Sequence, residues 1–351
     1  MSRARSVVVA GSRFGQFYAA GVAADPRFVL GGLLGQGSRR SQALAARLDV
    51  PLWLDVEALP EGLERACVAV GGAARGEQGP ALAEALMARG LDVVIEHPLL
   101  PREWQDLLRS AARLGRRCLL NTFYPHLPAV ARFIEVGRQL QRTRGIRHVD
   151  LACGVQVGFA ALDIVAALLE GVGPWSVEDE RPSASPLHEV ALVMAGVPVS
   201  LRVLNELAPA DDGRMTLLQR IDLTTDRGTW TLASPHGPLL WTPALAVPQE
   251  DAEGLYPLFG DESDAAEAVP AVQAWHGDET DWATLHRRTW PAAAADALAL
   301  LDDADAVDRC NQRSLDLMPL WQVLGERLGF PDLPPSDLRP ARLETLLEAS
   351  R

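Results

Sequence analysis

Two short runs carry side chains able to donate or relay protons: Glu96-His97-Pro98, and Asn121-Thr122-Phe123-Tyr124-Pro125-His126. Histidine and tyrosine are suited to that work because an imidazolium and a phenol can each hand over a proton to a nearby heteroatom. Taken singly, each has a plainer explanation: a strand-end histidine bonded to backbone, or an aromatic packed at a hinge. Both, however, follow apolar runs, Asp92-Val93-Val94-Ile95 and Cys118-Leu119-Leu120, that read as neighbouring core strands. Sheets of parallel strands present ligands at their carboxyl ends, so His97 and Tyr124 are the candidate catalytic residues. His126 is a weaker third, because it lies beyond Pro125 and further from the strand end. The chain contains no lysine, so no amine is available as acid, base or Schiff-base former.

The elements that must position these residues begin at residues 6–10, where Ser6-Val7-Val8-Val9-Ala10 meets Gly11-Ser12-Arg13-Phe14-Gly15 and a helical pattern over residues 16–24. Strand, glycine turn and helix together set backbone N–H groups and a helix N-terminus against a dinucleotide pyrophosphate. The glycine signal is incomplete, since Arg13 and Gln16 occupy two of its usual glycine positions. The next apolar run, residues 28–34, ends in Gly35-Gln36-Gly37-Ser38-Arg39-Arg40-Ser41, with no carboxylate to hold a ribose hydroxyl. Two guanidiniums and two hydroxyls suit a 2′-phosphate, which predicts NADPH as cofactor. Gly11, Ser12, Arg13, Phe14, Gly15, Ser38, Arg39, Arg40, Ser41, Gly71 and Glu96 form the expected cofactor-binding set. His97 or Tyr124 would then supply the proton that matches a hydride, and the sequence does not decide between them.

Further apolar runs at residues 66–70, 92–96 and 117–121 alternate with helical patterns at residues 78–88 and 102–114. This predicts a doubly wound parallel Rossmann sheet over residues 1–122. Residues 123–351 change character. Helices are expected at residues 127–141 and 159–170, followed by strand-like runs at residues 189–194, 197–204, 215–224, 229–233 and 239–242 with short turns between them. That order predicts an α+β domain with a largely antiparallel open sheet. Residues 248–269 read as an acidic surface loop or lid, and residues 282–351 as helices broken near residues 329–335. The whole is therefore of the α/β class, with a second α+β domain.

A net charge of −13 opposes unassisted nucleic-acid binding, and no apolar stretch approaches the roughly 20 residues of a membrane span. The cytoplasm is the expected location. The four cysteines, Cys67, Cys118, Cys153 and Cys310, are widely separated, which favours buried thiols over disulfides or a metal site.

The layout resembles the glucose–fructose oxidoreductase and inositol dehydrogenase family, which carries Glu-Lys-Pro on its fifth strand and D-x-G-x-H-x-x-D at a helix start in the second domain. Gln156-Val157-Gly158-Phe159-Ala160-Ala161-Leu162-Asp163 is similar to that second motif. His97 stands at the lysine position, Gln156 at the first aspartate and Ala160 at the histidine, with Gly158 and Asp163 kept. The family's sugar and cyclitol dehydrogenases use that lysine and histidine on a hydroxyl carbon, so the resemblance implies another substrate. Glu-His-Pro, a tyrosine shortly after it and G-x-x-F-G in the first turn are similar to the thiazolinyl imine reductases of pyochelin- and yersiniabactin-type siderophore biosynthesis. That likeness implies NADPH-dependent reduction of a thiazoline C=N to a thiazolidine while the intermediate is thioester-linked to a nonribosomal peptide synthetase carrier domain. Arg132, Arg138, Arg142, Arg144 and Arg147 form a basic stretch that is either a solvated helix face or a carrier-docking surface. A homodimer is compatible with an exposed sheet face. The alternatives are an NADP-dependent reductase or dehydrogenase of a free small carbonyl or imine compound, and a non-catalytic NADP(H)-sensing regulator.

Overall fold

The computed structural model describes residues 3–72, 76–180, 185–207, 215–245, 270–275, 281–333, 345 and 347. The expected acidic loop at residues 248–269 lies outside the described residues.

The N-terminal part alternates strand and helix: β1 (Arg5–Ala10), α1 (Gly15–Ala24), β2 (Phe28–Leu34), α2 (Arg39–Leu48), β3 (Leu52–Trp53), β4 (Arg65–Val68), α3 (Gly79–Ala88), β5 (Asp92–Glu96), α4 (Pro101–Leu114) and β6 (Cys118–Asn121). The six strands pair in parallel in the order β3-β2-β1-β4-β5-β6. Val7, Val8, Val9, Ala66, Cys67, Val93 and Ile95 are fully buried, as expected for strands covered by helices on both faces. The strand order reverses between β1 and β4, and a Rossmann sheet holds its ligand in the crevice that this reversal opens.

The second part begins with α5 (Pro128–Thr143), β7 (His148–Gly154) and α6 (Gly158–Leu169), and continues through β8 (Ser176–Glu180), β9 (Leu187–Met194), β10 (Val197–Leu204), β11 (Gln219–Thr224), β12 (Gly228–Leu232), β13 (Leu239–Pro243) and β14 (Gln273–Trp275). These eight strands run in the order β14-β13-β12-β11-β7-β10-β9-β8. Only β7 and β10 pair in parallel; every other pairing is antiparallel, so the sheet is mixed but mostly antiparallel. Strict alternation along β10 sends Val197, Val199, Leu201 and Val203 inward. On the same inward face, the Phe133 ring of α5 stacks on Trp230 of β12 at 6.2 Å.

Every residue of α6 is buried. A helix apolar all round needs cover on all sides, and α5, the sheet and the C-terminal helix provide it. Gly158 opens this helix because a Cβ there would stand 2.6 Å from the Trp321 ring.

The chain ends in α7 (Trp282–Thr284), a π-helical turn Leu285–Thr289, α8 (Trp290–Ala299) and α9 (Ala304–Leu328), the last stopping at Gly329 as its sequence suggests. These helices return to the first sheet. A Cβ on Gly21 of α1 would lie 2.0 Å from the Pro291 carbonyl oxygen of α8, so the two helices touch backbone to backbone. Arg65 Nη1 donates to the Leu298 carbonyl at 3.0 Å, and Asn311 Nδ2 to the Cys118 carbonyl at 2.8 Å. The four cysteines are free, three of them buried.

Candidate active site

β5 and β6 lie in register with Glu96 opposite Asn121, so the two proton-bearing segments leave the sheet side by side. Asn121 organises both. Its carbonyl oxygen accepts the His97 backbone N–H at 3.2 Å and lies 3.2 Å from His97 Nδ1. A proton on Nδ1 satisfies that contact and leaves Nε2 as the acceptor nitrogen of the ring. The Asn121 side chain donates to Glu96 Oε1 at 3.1 Å and accepts the Phe123 backbone N–H at 2.9 Å.

Phe123 has φ 68° and ψ −56°, and the Tyr124 N–H donates to the Thr122 carbonyl at 2.8 Å. This is the rare positive-φ form of the γ-turn, a strained backbone that costs about 1–3 kcal/mol and persists only where the surroundings impose it. They do so here. The Phe123 ring is buried between Phe14 at 5.2 Å and Trp290 at 5.5 Å. The turn points Tyr124 into the molecule, where 8% of it is exposed. Burial pushes the phenol well above the ordinary tyrosine range, Gln219 draws it part of the way back, and the Glu96 charge raises it again. Tyr124 therefore keeps its proton at neutral pH.

His97 packs near Phe159 with rings nearly parallel and 6.1 Å apart, and Glu96 Oε2 lies 3.7 Å from its Nδ1. Glu96 itself turns inward: its Oε1 accepts from the buried Tyr18 hydroxyl as well as from Asn121. Although it was expected against the cofactor, it is held as part of a buried Tyr18–Glu96–Asn121 cluster. His126, the weaker candidate, donates its backbone N–H to the Phe123 carbonyl at 3.1 Å, and burial pushes its imidazole down to about 4.

Behind this pair, Asp163 of α6 accepts from Thr122 Oγ1 and from Arg313 Nε, each at 2.6 Å. Burial alone would raise this carboxyl, but Arg313 and Thr122 outweigh it and hold Asp163 below the usual carboxylate range.

The turn after β1 fits a dinucleotide. Gly11 has φ 95°, and a Cβ there would stand 2.5 Å from the Ala69 carbonyl oxygen, so the chain can pass this close only as glycine. α1 starts at Gly15 with neither a side-chain cap nor an acidic residue in its first turn, leaving its N-terminal end suited to an anion. Ser12 and Arg13 form the turn itself, whereas the Phe14 ring packs into the aromatic cluster with Phe17, Phe123 and Trp290.

At the end of β2, Arg39 and Arg40 are exposed and make no ion pair among the described residues. The two serines are partly committed elsewhere. Ser38 caps α2 by accepting the Ser41 N–H at 3.2 Å, while Ser41 is 2% exposed and donates its hydroxyl to the Ser38 carbonyl at 2.8 Å. Ser41 thus serves the cap, and the arginines remain as the groups able to meet a 2′-phosphate. The Gly71 amide is likewise engaged, donating to the Glu77 carboxylate.

Of the basic stretch, Arg132 pairs with Glu135 at 2.7 Å, Arg142 with Glu170, and Arg138 Nε donates to the Ala167 carbonyl at 2.8 Å. The surface concavity lined by Arg5, Glu64, Arg65, Asp92, Arg117 and Asp302 lies at the amino ends of the strands, remote from His97 and Tyr124, and in it Arg5 pairs with Glu64 and Arg65 with Asp302. Among the described residues no group of three or more His, Cys, Asp or Glu could hold a metal, and no helix is long and apolar enough to cross a membrane.

Sequence reading missed Gln219. It lies on the inward row of β11 with Ile221 and Leu223, 1% exposed, and neither end of its carboxamide completes a hydrogen bond among the described residues. The signal was present as a polar residue at an inward position of an alternating strand.

Residues 5–122 match the model of the Gfo/Idh/MocA group, described as an oxidoreductase family with an NAD-binding Rossmann fold. No curated protein matches the sequence. Among solved structures, GenD2 from gentamicin A biosynthesis, in complex with NAD, is 15% identical, with a TM-score of 0.64 over 92% of this chain and 93% of its own. The UDP-N-acetylglucosamine 3-dehydrogenase GnnA from Acidithiobacillus ferrooxidans is 14% identical, with a TM-score of 0.63 over 92% of this chain and 97% of its own. A dehydrogenase from Chromobacterium violaceum is 11% identical, with a TM-score of 0.66 over 92% and 94%. At these identities the likeness is one of fold.

Proposed function

We propose that this chain, whose residues 5–122 match the Gfo/Idh/MocA oxidoreductase model with its NAD-binding Rossmann fold, is an NADPH-dependent imine reductase that converts a thiazoline C=N to a thiazolidine on a carrier-bound siderophore intermediate. The observation that carries this reading is the pairing of His97 and Tyr124 at adjacent strand ends in a chain with no lysine. Ala160 stands where the sugar and cyclitol dehydrogenases that the layout resembles carry histidine, so by that resemblance the residues for withdrawing a hydroxyl proton are missing while two candidate proton donors remain.

The turn from Gly11 to Gly15 and the start of α1 would hold the pyrophosphate, and Arg39 and Arg40 the 2′-phosphate. Bound there, a reduced nicotinamide supplies hydride. The chain's part is the proton. Tyr124, protonated at neutral pH, is the general acid toward the substrate nitrogen. His97, its Nδ1 anchored on the Asn121 carbonyl, orients the substrate or returns a proton to Tyr124 through Nε2. The Tyr18–Glu96–Asn121 cluster fixes the backbone from which both project.

The second reading is a reductase of a free small imine or carbonyl compound. It is favoured by the engagement of Arg132, Arg138 and Arg142 in contacts within the chain, which leaves less of the basic stretch to meet a carrier. NADPH oxidation with an aryl-thiazolinyl thioester mimic, free and then loaded on a carrier domain, tests both. Consumption with a mass gain of two hydrogens supports imine reduction, and a large catalytic gain on carrier loading supports the first reading over the second. Tyr124→Phe should lower kcat by about a hundredfold while NADPH affinity stays unchanged. Equal rates for the two forms would remove Tyr124 as the donor.

A further inference from the structure

The turn that presents Tyr124 is held by three contacts. The Asn121 carboxamide accepts the Phe123 N–H at 2.9 Å, the Phe123 ring is held between Phe14 and Trp290, and Thr122 Oγ1 donates to Asp163 Oδ2 at 2.6 Å. The first two act on Phe123. The third grips Thr122, whose carbonyl accepts the Tyr124 N–H at 2.8 Å and so closes the turn. Thr122 and Asp163 are both buried, and Asp163 accepts on its other oxygen from Arg313 Nε at 2.6 Å. The bond from Thr122 is therefore charge-assisted and shielded from water. Apolar side chains of similar volume often replace a buried ion pair at no loss of stability, so the Thr122–Asp163–Arg313 set is a costly way to fill space. Its placement is specific. Asp163 lies one helical turn beyond Phe159, the α6 residue whose ring packs on His97 at 6.1 Å. Residues four apart share a helix face, so one face of α6 braces both candidate donors, Phe159 at His97 and Asp163 at the turn before Tyr124.

We propose that Thr122 is a positioning residue for proton transfer, its hydroxyl on the Asp163 carboxylate holding the turn in the form that aims Tyr124 at the substrate nitrogen. This rests on Tyr124 acting as the general acid. A φ of 68° is a conformation that a phenylalanine leaves once its surroundings allow it. Without the tether to α6, the backbone from Thr122 to Tyr124 can relax toward an ordinary turn. A phenol displaced by about an ångström then loses hydrogen-bond reach of the atom it protonates, and misplacement on that scale is enough to slow a reaction by an order of magnitude or more. Binding depends on other elements, since the dinucleotide is expected at the start of α1 and at Arg39 and Arg40. Loss of the tether therefore acts on the chemical step rather than on affinity.

Thr122→Val keeps the shape of the side chain and removes the donor. With the aryl-thiazolinyl thioester mimic its kcat should fall by about tenfold or more, while substrate KM and NADPH affinity stay within about twofold. Thr122→Ser restores the hydroxyl without the methyl and should recover most of the rate. Should Thr122→Val fail to fold, Thr122→Ala takes its place, because the room it leaves admits a water to Asp163. An unchanged kcat in the variant without the hydroxyl overturns the proposal. So does a serine variant as slow as the valine one, which would make methyl packing the cause. A second readout follows Tyr124 itself. The chain has three tyrosines, so meta-fluorotyrosine incorporation gives few fluorine NMR signals, and the one lost in Tyr124→Phe belongs to Tyr124. At constant neutral pH that signal should shift or broaden in Thr122→Val and return in Thr122→Ser, and an unmoved signal overturns the proposal. Should the unsubstituted protein fail to reduce the mimic while the signal responds in this way, the Thr122–Asp163 tether stands and the imine-reductase reading falls.

Discussion

Arg313 Nε donates to Asp163 Oδ1 at 2.6 Å inside the protein, with 16% and 4% of the two side chains exposed. The contact ties the last long helix, α9, to α6, and through Thr122 Oγ1 to the turn that presents Tyr124. Three elements distant in the chain thus meet on one carboxylate.

Removing one partner of such a pair leaves a buried charge uncompensated. Arg313→Met should therefore destabilise the fold by about 3–5 kcal/mol, read as a drop in the urea midpoint. Asp163→Asn in the same background should restore part of the loss, because the orphaned charge is gone and Thr122 keeps a partner. Midpoints that simply add, with no recovery in the double variant, would mean that the pair is not coupled.

Local signals were readable and contacts between distant segments were not. The turn from Gly11 to Gly15 and the stop at Gly329 each depend on a few adjacent residues, so their chemistry is written in order along the chain. The parallel first sheet, apart from its two-residue edge strand β3, and the mostly antiparallel character of the second sheet followed from periodicity for the same reason. Phe123 carries no mark of its positive φ, since that backbone is imposed by Phe14 and Trp290, one from the first turn and the other from α8. Ser41 and Glu96 looked equally able to face a ligand, and only the tertiary structure turns them inward, Ser41 to the Ser38 carbonyl and Glu96 to Tyr18. The return of α8 and α9 onto α1 and β6 likewise depends on close packing at Gly21 and the reach of Asn311, neither of which has a periodic signature.

Acid should weaken the fold through histidine. Both ring nitrogens of His236 are buried without partners among the described residues, and the ring packs against Trp290 at 6.1 Å and Trp282 at 5.6 Å. Burial, helped by His286, pushes this imidazole down from 6.5 to about 4. The unfolded chain therefore takes up a proton near the upper value while the folded chain does not until the lower one. Stability present at neutral pH is lost progressively as pH falls through that window. His236→Phe keeps a ring of similar shape and cannot take up the proton. Its urea midpoint should fall less than that of the unsubstituted protein between neutral pH and the middle of the window. Parallel losses in the two proteins would clear His236 of any part in acid sensitivity.

Cofactor choice turns on Arg39 and Arg40. Both are exposed at the first turn of α2, and their guanidiniums have no ion-pair partner among the described residues. Ser41 is committed to the helix cap, so a 2′-phosphate would gain its charge-assisted hydrogen bonds chiefly from these two side chains. A bare 2′-hydroxyl would gain little from them. Arg39→Ala with Arg40→Ala should weaken NADPH binding by about a hundredfold, on the scale of about 1.5–3 kcal/mol for a hydrogen bond to a charged group, and leave NADH binding within about threefold. Titration calorimetry with each dinucleotide makes the comparison. The helix itself should survive, since neither arginine contributes to the Ser38 cap and alanine favours helix as strongly as arginine does. The loss should also shrink as salt is raised, because exposed charges are screened. An equal loss for NADH and NADPH would place the arginines on the shared part of the dinucleotide and withdraw the preference for the phosphorylated cofactor.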